Sequence, residues 1–302
     1  QIEHSLESLS GPVPGILGRY TIWSVMADWN PAEIIGPTPG ALALDIYRYI
    51  ITDRTWAKQR SDVGYRDVTH WPLVRSFGGQ AFVDVRCSVN SFLPASVPDK
   101  TAEKIINFGL ERLKEDLTRH DKIEFDIVPT CLDFNFAIWT QRYMDAGALT
   151  AAETSDLEDG LRSVTRSTIA RAQTDVEAAE DLERRCKGIL DDAKLGDGDW
   201  VRFILDMCRD KGALNFAHLA RAGFVAVAFL KSAVDQKFIN EKRYNQLLNS
   251  VKTVGGLMQA EAWNVKTGKL DFAKFVERFG HIRPGTYDIS APSYKDRSDL
   301  YL

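Results

Sequence analysis

A chain of 302 residues that is 44% hydrophobic and 26% charged has the balance of a folded protein, large enough for one big domain or two ordinary ones. Its net charge of -4, with no polybasic block, argues against a nucleic-acid groove. The longest strongly apolar run, Ala222 to Leu230, falls far short of the roughly 20 residues of a bilayer span, so no membrane partner is expected.

Four widely spaced cysteines (Cys87, Cys131, Cys186 and Cys208) form no C-x-x-C pair and read as reduced thiols of a cytoplasmic protein. No signal peptide is visible. A start at Gln1 rather than Met is the pattern of a fragment of a larger protein.

Turn-rich stretches, Gly11 to Gly18 and Asn30 to Gly40, flank Arg19 to Ala27, whose β-branched and aromatic residues predict a strand. Leu42 to Lys58 reads as helix. After the Gly78-Gly79 turn, Ala81 to Val89 alternates polar Asp84, Arg86 and Ser88 with Val83, Val85, Cys87 and Val89, the period of a half-buried strand. Lys122 to Val128 alternates likewise, and these segments predict one small sheet.

Helix dominates from Pro98 onward. Thr101 to Thr118 carries Ile105, Phe108, Leu113 and Leu117 near helical spacing. Thr150 and Glu153 form a capping box for a long proline-free stretch to Leu195, in which Leu157, Leu161, Val164 and Ile169 make an apolar stripe. Gly196 to Asp199 closes it and caps a helix from Trp200 to Lys211. Further helices are predicted over Asn215 to Val234, Asn240 to Asn264 and Asp271 to Phe279, with Gly280 as a left-handed helix stop.

The predicted fold is α+β and predominantly α. A small mixed sheet in an α/β part (1–135) packs with a helical part (136–279), and a C-terminal segment (280–302) returns to the α/β part.

P-loop, G-x-G-x-x-G, H-E-x-x-H and G-x-S-x-G patterns are all absent, and no metal site is expected. The GDGD stretch lacks the glutamate that a calcium loop needs at position twelve. Three segments stand out. In Asp28 to Gly36, Asn30 before Pro31 suits a helix cap whose free amides could meet an anion, and Trp29 could wall a ligand or simply pack. In Phe77 to Asn90, a strand would project Asp84, Arg86, Ser88 and Asn90 from one face, a set suited to phosphate or carboxylate, or to plain exposure to water. In Phe279 to Ser290, His281, Arg283, Tyr287 and Asp288 crowd a stiff Pro-Gly turn after a helix end, where positive charge is favoured whether or not a ligand binds.

Together these segments resemble the phosphoenolpyruvate-utilising, dikinase-like enzymes, such as phosphoenolpyruvate synthase and rifampicin phosphotransferase. Gly280, His281, Pro284, Gly285 and Asp288 match a G-H-R-x-P-G-E-x-D stretch, with Arg283 displaced by one place and Thr286 where an acidic residue often stands. The run from Trp29 to Gly36 resembles the beginning of that family's central domain, and Phe77 to Arg86 resembles the glycine-led strand that follows.

The resemblance implies a central acceptor-binding domain, served by ATP-grasp and phosphohistidine domains of the same full-length protein. ATP and magnesium would act there, with no cofactor bound by this chain. Neither Gly78-Gly79 nor Gly255-Gly256 leads into Ser-His, so His281 is not expected to carry phosphate. His281 and Asp84 would assist a small-molecule acceptor's hydroxyl. Arg86, Arg283, Trp29, Asn30, Ser88, Asn90 and Tyr287 would bind the acceptor or the phosphoryl group. The competing expectation is a non-catalytic scaffolding domain that presents its long polar helices to a partner.

Overall fold

A computed structural model describes residues 9–191, 197–251, 253–283 and 291–297. The chain divides into two compact units, Gln1–Gln236 and Lys237–Leu302. This division places both the expected α/β part and most of the expected helical part in the first unit.

The first unit contains a three-stranded antiparallel sheet of order β1-β3-β2, formed by β1 (Trp23–Ser24), β2 (Val74–Phe77) and β3 (Gln80–Asp84). Gly78 and Gly79 join β2 to β3 with φ of 59° and 83°, the paired left-handed conformation that a two-residue hairpin needs and glycine adopts without strain. The sheet is therefore antiparallel and not mixed. β1 is far shorter than the predicted Arg19 to Ala27 strand.

Two predicted strands are helical. Past Asp84 the chain turns into α4 (Val85–Ser91), because the Asp84 carboxylate accepts the Cys87 amide at 3.0 Å and caps the helix. Every residue of α4 is buried, so its alternation reflects no division between a wet and a dry face. Lys122 to Val128 instead forms a π-helical turn over Ile123–Ile127. It buries Ile123 and Ile127, four apart, and leaves Phe125 exposed.

Around the sheet lie α1 (Pro31–Ile34), α2 (Ala41–Tyr47), α3 (Thr55–Asp62), α5 (Asp99–Glu115), α6 (Phe136–Asp145), α7 (Ala151–Asp191), α8 (Asp197–Met207) and α9 (Leu214–Asp235). One core joins Val83 and Val85 to Trp56, Leu110, Ile127, Tyr143, Leu157 and Leu161, so α6 and the start of α7 share the sheet's core.

The capping box of α7 is formed as predicted: Thr150 Oγ1 accepts the Glu153 amide, and Glu153 Oε2 accepts the Thr150 amide at 2.9 Å. α7 runs unbroken through Gly188, and α8 starts inside the GDGD stretch. Leu157, Leu161 and Val164 of the predicted stripe are buried, but Ile169 is 56% exposed. Leu117, predicted on the α5 stripe, is also exposed.

α8 and α9 are linked by a π-helical turn over Cys208–Ala213. Contrary to the reading of Ala222 to Leu230 alone, the continuous stretch Gly198–Asp235 is long enough for a membrane span and contains an 18-residue window with a mean hydropathy of 1.5. It also buries Ala217, His218, Arg221, Val225, Ser232 and Ala233 as α9 packs against α7 and α3. Length and composition alone do not separate a span from a packed core helix.

The second unit holds α10 (Glu241–Ser250), α11 (Val254–Lys266) and α12 (Phe272–Phe279). The predicted single helix from Asn240 to Asn264 is two, since Thr253 Oγ1 accepts the Gly256 amide and starts α11 anew. Gly280 ends α12 with φ -60°, not left-handed. Its reason for being glycine is crowding: a Cβ there would lie 2.4 Å from the Val276 carbonyl oxygen.

Burial along α7 has a direct consequence. Leu161→Ala should cost about 2–5 kcal/mol of unfolding free energy. Ile169→Ala should stay within about 0.5 kcal/mol. Urea unfolding of the two variants checks the contrast.

Candidate functional site

The polar residues of α4 form two networks. In the first, Asp84 accepts from Thr21 Oγ1 at 2.6 Å and from Trp71 Nε1 at 3.1 Å, besides capping α4. Arg86 reaches back to the same carboxylate at 3.5 Å and donates to the Gly11 carbonyl at 2.6 Å. Both side chains are fully buried. Asn90 accepts the Leu17 amide at 3.0 Å and donates to the Leu17 carbonyl at 2.8 Å. These three expected site residues do not share an exposed strand face. They pin the turn-rich N-terminal stretch, whose backbone groups lack a regular partner, onto α4.

The second network is centred on Asp28, in the loop between β1 and α1. Its carboxylate takes a two-pronged bond from Arg60 of α3, at 2.6 and 2.7 Å, and a third from Ser88 Oγ at 2.7 Å. Arg60 also donates to Ser91 Oγ at 2.5 Å and lies over the Phe92 ring at 3.8 Å. Only 5% of the Asp28 side chain and 4% of the Arg60 side chain are exposed. Burial would push the Asp28 carboxyl up, but the Arg60 charge and the bonds from Arg60 and Ser88 outweigh it and hold the carboxyl below its ordinary range. Its stabilising contribution is therefore present above the ordinary carboxylate pKa and is lost as pH falls through the depressed folded value.

Directly after Asp28, Trp29 has φ 60°, an outlier for an aromatic residue. Its carbonyl accepts from Tyr47 at 2.7 Å, and its ring lies 6.3 Å from that of Phe216. Asn30 caps α1 by accepting the Glu33 amide at 3.1 Å. α1 has only four residues, so the expected anion-binding helix start is a capped single turn.

Three residues outside the segments singled out in the sequence adjoin this network. Arg221, from α9, is 4% exposed and stands 4.9 Å from the centre of the Phe92 ring that Arg60 also covers. Its charge acts on Asp28, Tyr65, Glu124 and Cys131. Glu124 is half-buried, and its carboxyl is pushed up by burial and then by the Asp28 charge. Burial and the Asp133 charge push the Cys131 thiol up to about 12, and burial raises Cys87 as well. Neither thiol is poised as a nucleophile. Among the described residues, no group of three or more His, Cys, Asp or Glu side chains could hold a metal.

Compared with known proteins, the chain matches no family model, no curated protein and no solved structure. The family resemblance thus rests on the quoted segments alone.

His281 and Arg283 belong to the second unit, where they line a cleft of about 460 Å³ with Ser293, Lys295 and Asp296. Arg283 Nε donates to the Ala291 carbonyl at 2.8 Å, so part of its guanidinium serves the backbone. Tyr287 and Asp288 lie outside the described residues.

Sequence reading reached Asp28 and Ser88 through their segments but missed Arg60, Glu124 and Arg221. Arg221 had one local signal, a lone cation immediately before the most apolar run in the chain. Breaking the central pair should be costly. Asp28→Asn and Arg60→Met should each lose about 3–5 kcal/mol, because each strands a buried charge. The double variant should lose much less than the sum, as a double-mutant cycle in urea would register.

Proposed function

We propose that this chain is the central, acceptor-binding domain of an ATP-dependent phosphotransferase of the phosphoenolpyruvate synthase-like class. It would position a hydroxyl or carboxylate acceptor for transfer from a phosphohistidine domain of the same protein. ATP and magnesium would act on the other domains, in the cytoplasm.

One observation carries this reading: two of the three segments on which the resemblance rests converge on one buried polar centre, where Ser88 of the second donates to Asp28 of the first at 2.7 Å. Phosphoryl transfer requires alignment and positive charge around the moving group more than covalent chemistry. Arg221, backed by the Asp28–Arg60 pair, supplies such charge in a setting of low dielectric, where it acts strongly. Trp29 and Phe216 supply apolar surface beside it. Asp84, Arg86 and Asn90 act as positioning residues that fix α4.

A second reading, a non-catalytic interaction domain, is favoured by the exposed apolar side chains Val201, Phe203 and Ile204 of α8 and Phe216 of α9. Both readings meet in one experiment on the full-length protein. Labelled ATP should load a phosphohistidine, and a hydroxyl or carboxylate acceptor should discharge it. Arg60→Lys keeps the buried charge but loses the planar fork; it should slow discharge at least about tenfold, the effect of about 1.4 kcal/mol, while loading stays normal. Unchanged discharge in this variant, or no ATP-dependent phosphohistidine in the wild type, would rule the phosphotransferase reading out.

A further inference from the structure

Three buried arginines surround α4, and they differ in one respect. Arg60 is held by Asp28 and Ser91, and Arg86 by Asp84 and the Gly11 carbonyl. Arg221, equally buried, has no hydrogen bond or ion pair with any described residue. As in Arg60 and Arg86, its Nε is enclosed without an acceptor, but here only the Phe92 and Phe224 rings, at 4.9 and 5.4 Å, face the guanidinium.

An enclosed cation without a counter-ion is strongly disfavoured, and ring faces offset only part of that cost even when desolvated. The local sequence could have avoided that cost, since Arg221 stands on the helix that carries the chain's most apolar run. The carboxylates that feel its charge do not neutralise it. Asp28 is committed to Arg60 and Ser88. Glu124 makes no ion pair with a described residue; its carbonyl accepts from Thr130 Oγ1 at 3.4 Å, and burial and Asp28 disfavour the charged form of its carboxyl. Asp28 and Arg60 pair with each other, which leaves Arg221 without a hydrogen-bonded or ion-paired counter-ion among the described residues.

We propose that Arg221, backed by the Asp28–Arg60 pair, is the binding site for a small oxyanion that offers two acceptor oxygens to the guanidinium, as a carboxylate or a phosphate group does. A fork with two parallel N–H donors matches both geometries. Arg60 holds the Phe92 ring from one side while Arg221 stands at 4.9 Å from it, so the fork is set by packing before any anion arrives. The site does not depend on the phosphotransferase reading, because a chain can bind an oxyanion without receiving phosphate.

Thermal unfolding of the 302-residue chain tests this, with inorganic phosphate and acetate as separate probes against sodium chloride at matched ionic strength. At several-fold saturation the wild type should rise by roughly 2–4 °C in at least one probe, and the probe that acts identifies the anion class. Arg221→Met should abolish the rise. In chloride alone this variant should unfold no lower than the wild type, because it removes an unmatched charge while keeping the bulk. Arg221→Lys, which keeps the charge without the fork, should retain a smaller rise. The proposal is overturned if neither probe shifts the wild type, or if Arg221→Met shows the same rise. It is equally overturned if Arg221→Met is strongly destabilised in chloride, since Arg221 would then be a packing residue.

Discussion

The meeting of the loop after β1, α3 and α4 depends on the Asp28–Arg60 pair. Two charges taken almost wholly out of water can persist only if each finds the other in good geometry and their remaining bonding capacity is met. Here the pair is two-pronged, and Ser88 and Ser91 take further bonds from α4. Such a pair gives specificity more than net stability, because an apolar replacement of equal shape could be as stable. What it fixes is where the loop after β1, α3 and α4 must meet. The positive φ of Trp29, on the adjoining residue, is a conformation that this fixed junction can hold.

From that junction the other features follow in order. α4 can be buried on all sides only because its polar side chains are occupied: Arg86 and Asn90 by the N-terminal stretch, Ser88 and Ser91 by the charged pair. Asp84 makes the change from strand to helix by capping the Cys87 amide, while Thr21 Oγ1 accepts the Arg86 amide. α9 then crosses α3 and α7 and brings Arg221 to a ring that Arg60 has already positioned. The result is a polar centre in which Arg221, unlike Arg60, has no hydrogen-bonded or ion-paired partner among the described residues, beside the separate buried Asp84–Arg86 network. A ligand-binding centre benefits from that arrangement, since its charges need no rearrangement when the ligand arrives.

How much of this was legible in the sequence depended on whether a signal was local. The capping box at Thr150 and Glu153, the helix start at Asp271 and the Gly78-Gly79 turn are set by residues a few places apart and were readable, whereas β2, which makes that turn a hairpin, was not. The alternation after Asp84 misled because a fully buried helix with satisfied polar groups shows the same pattern as a half-buried strand. Ile123 and Ile127 fit either period, and only the packing of the turn against α5 decides between them. Asp28 and Ser88 stood in segments that drew attention, but their partner Arg60 is 32 residues from Asp28 along the chain. Arg221 lies far beyond both. No spacing rule connects residues so distant, which is why their meeting appears only in three dimensions.

The central claim is that Asp28 is ionised in the folded chain because Arg60 holds it so. A carbon-13 NMR titration of the side-chain carboxyls, with Asp28 identified through Asp28→Asn, measures this directly. The account predicts that the Asp28 signal titrates below the ordinary aspartate value of 3.8, or remains ionised until the fold itself is lost. A signal that titrates above 3.8 in the folded protein would show burial prevailing over the pair, and would contradict the account at its foundation.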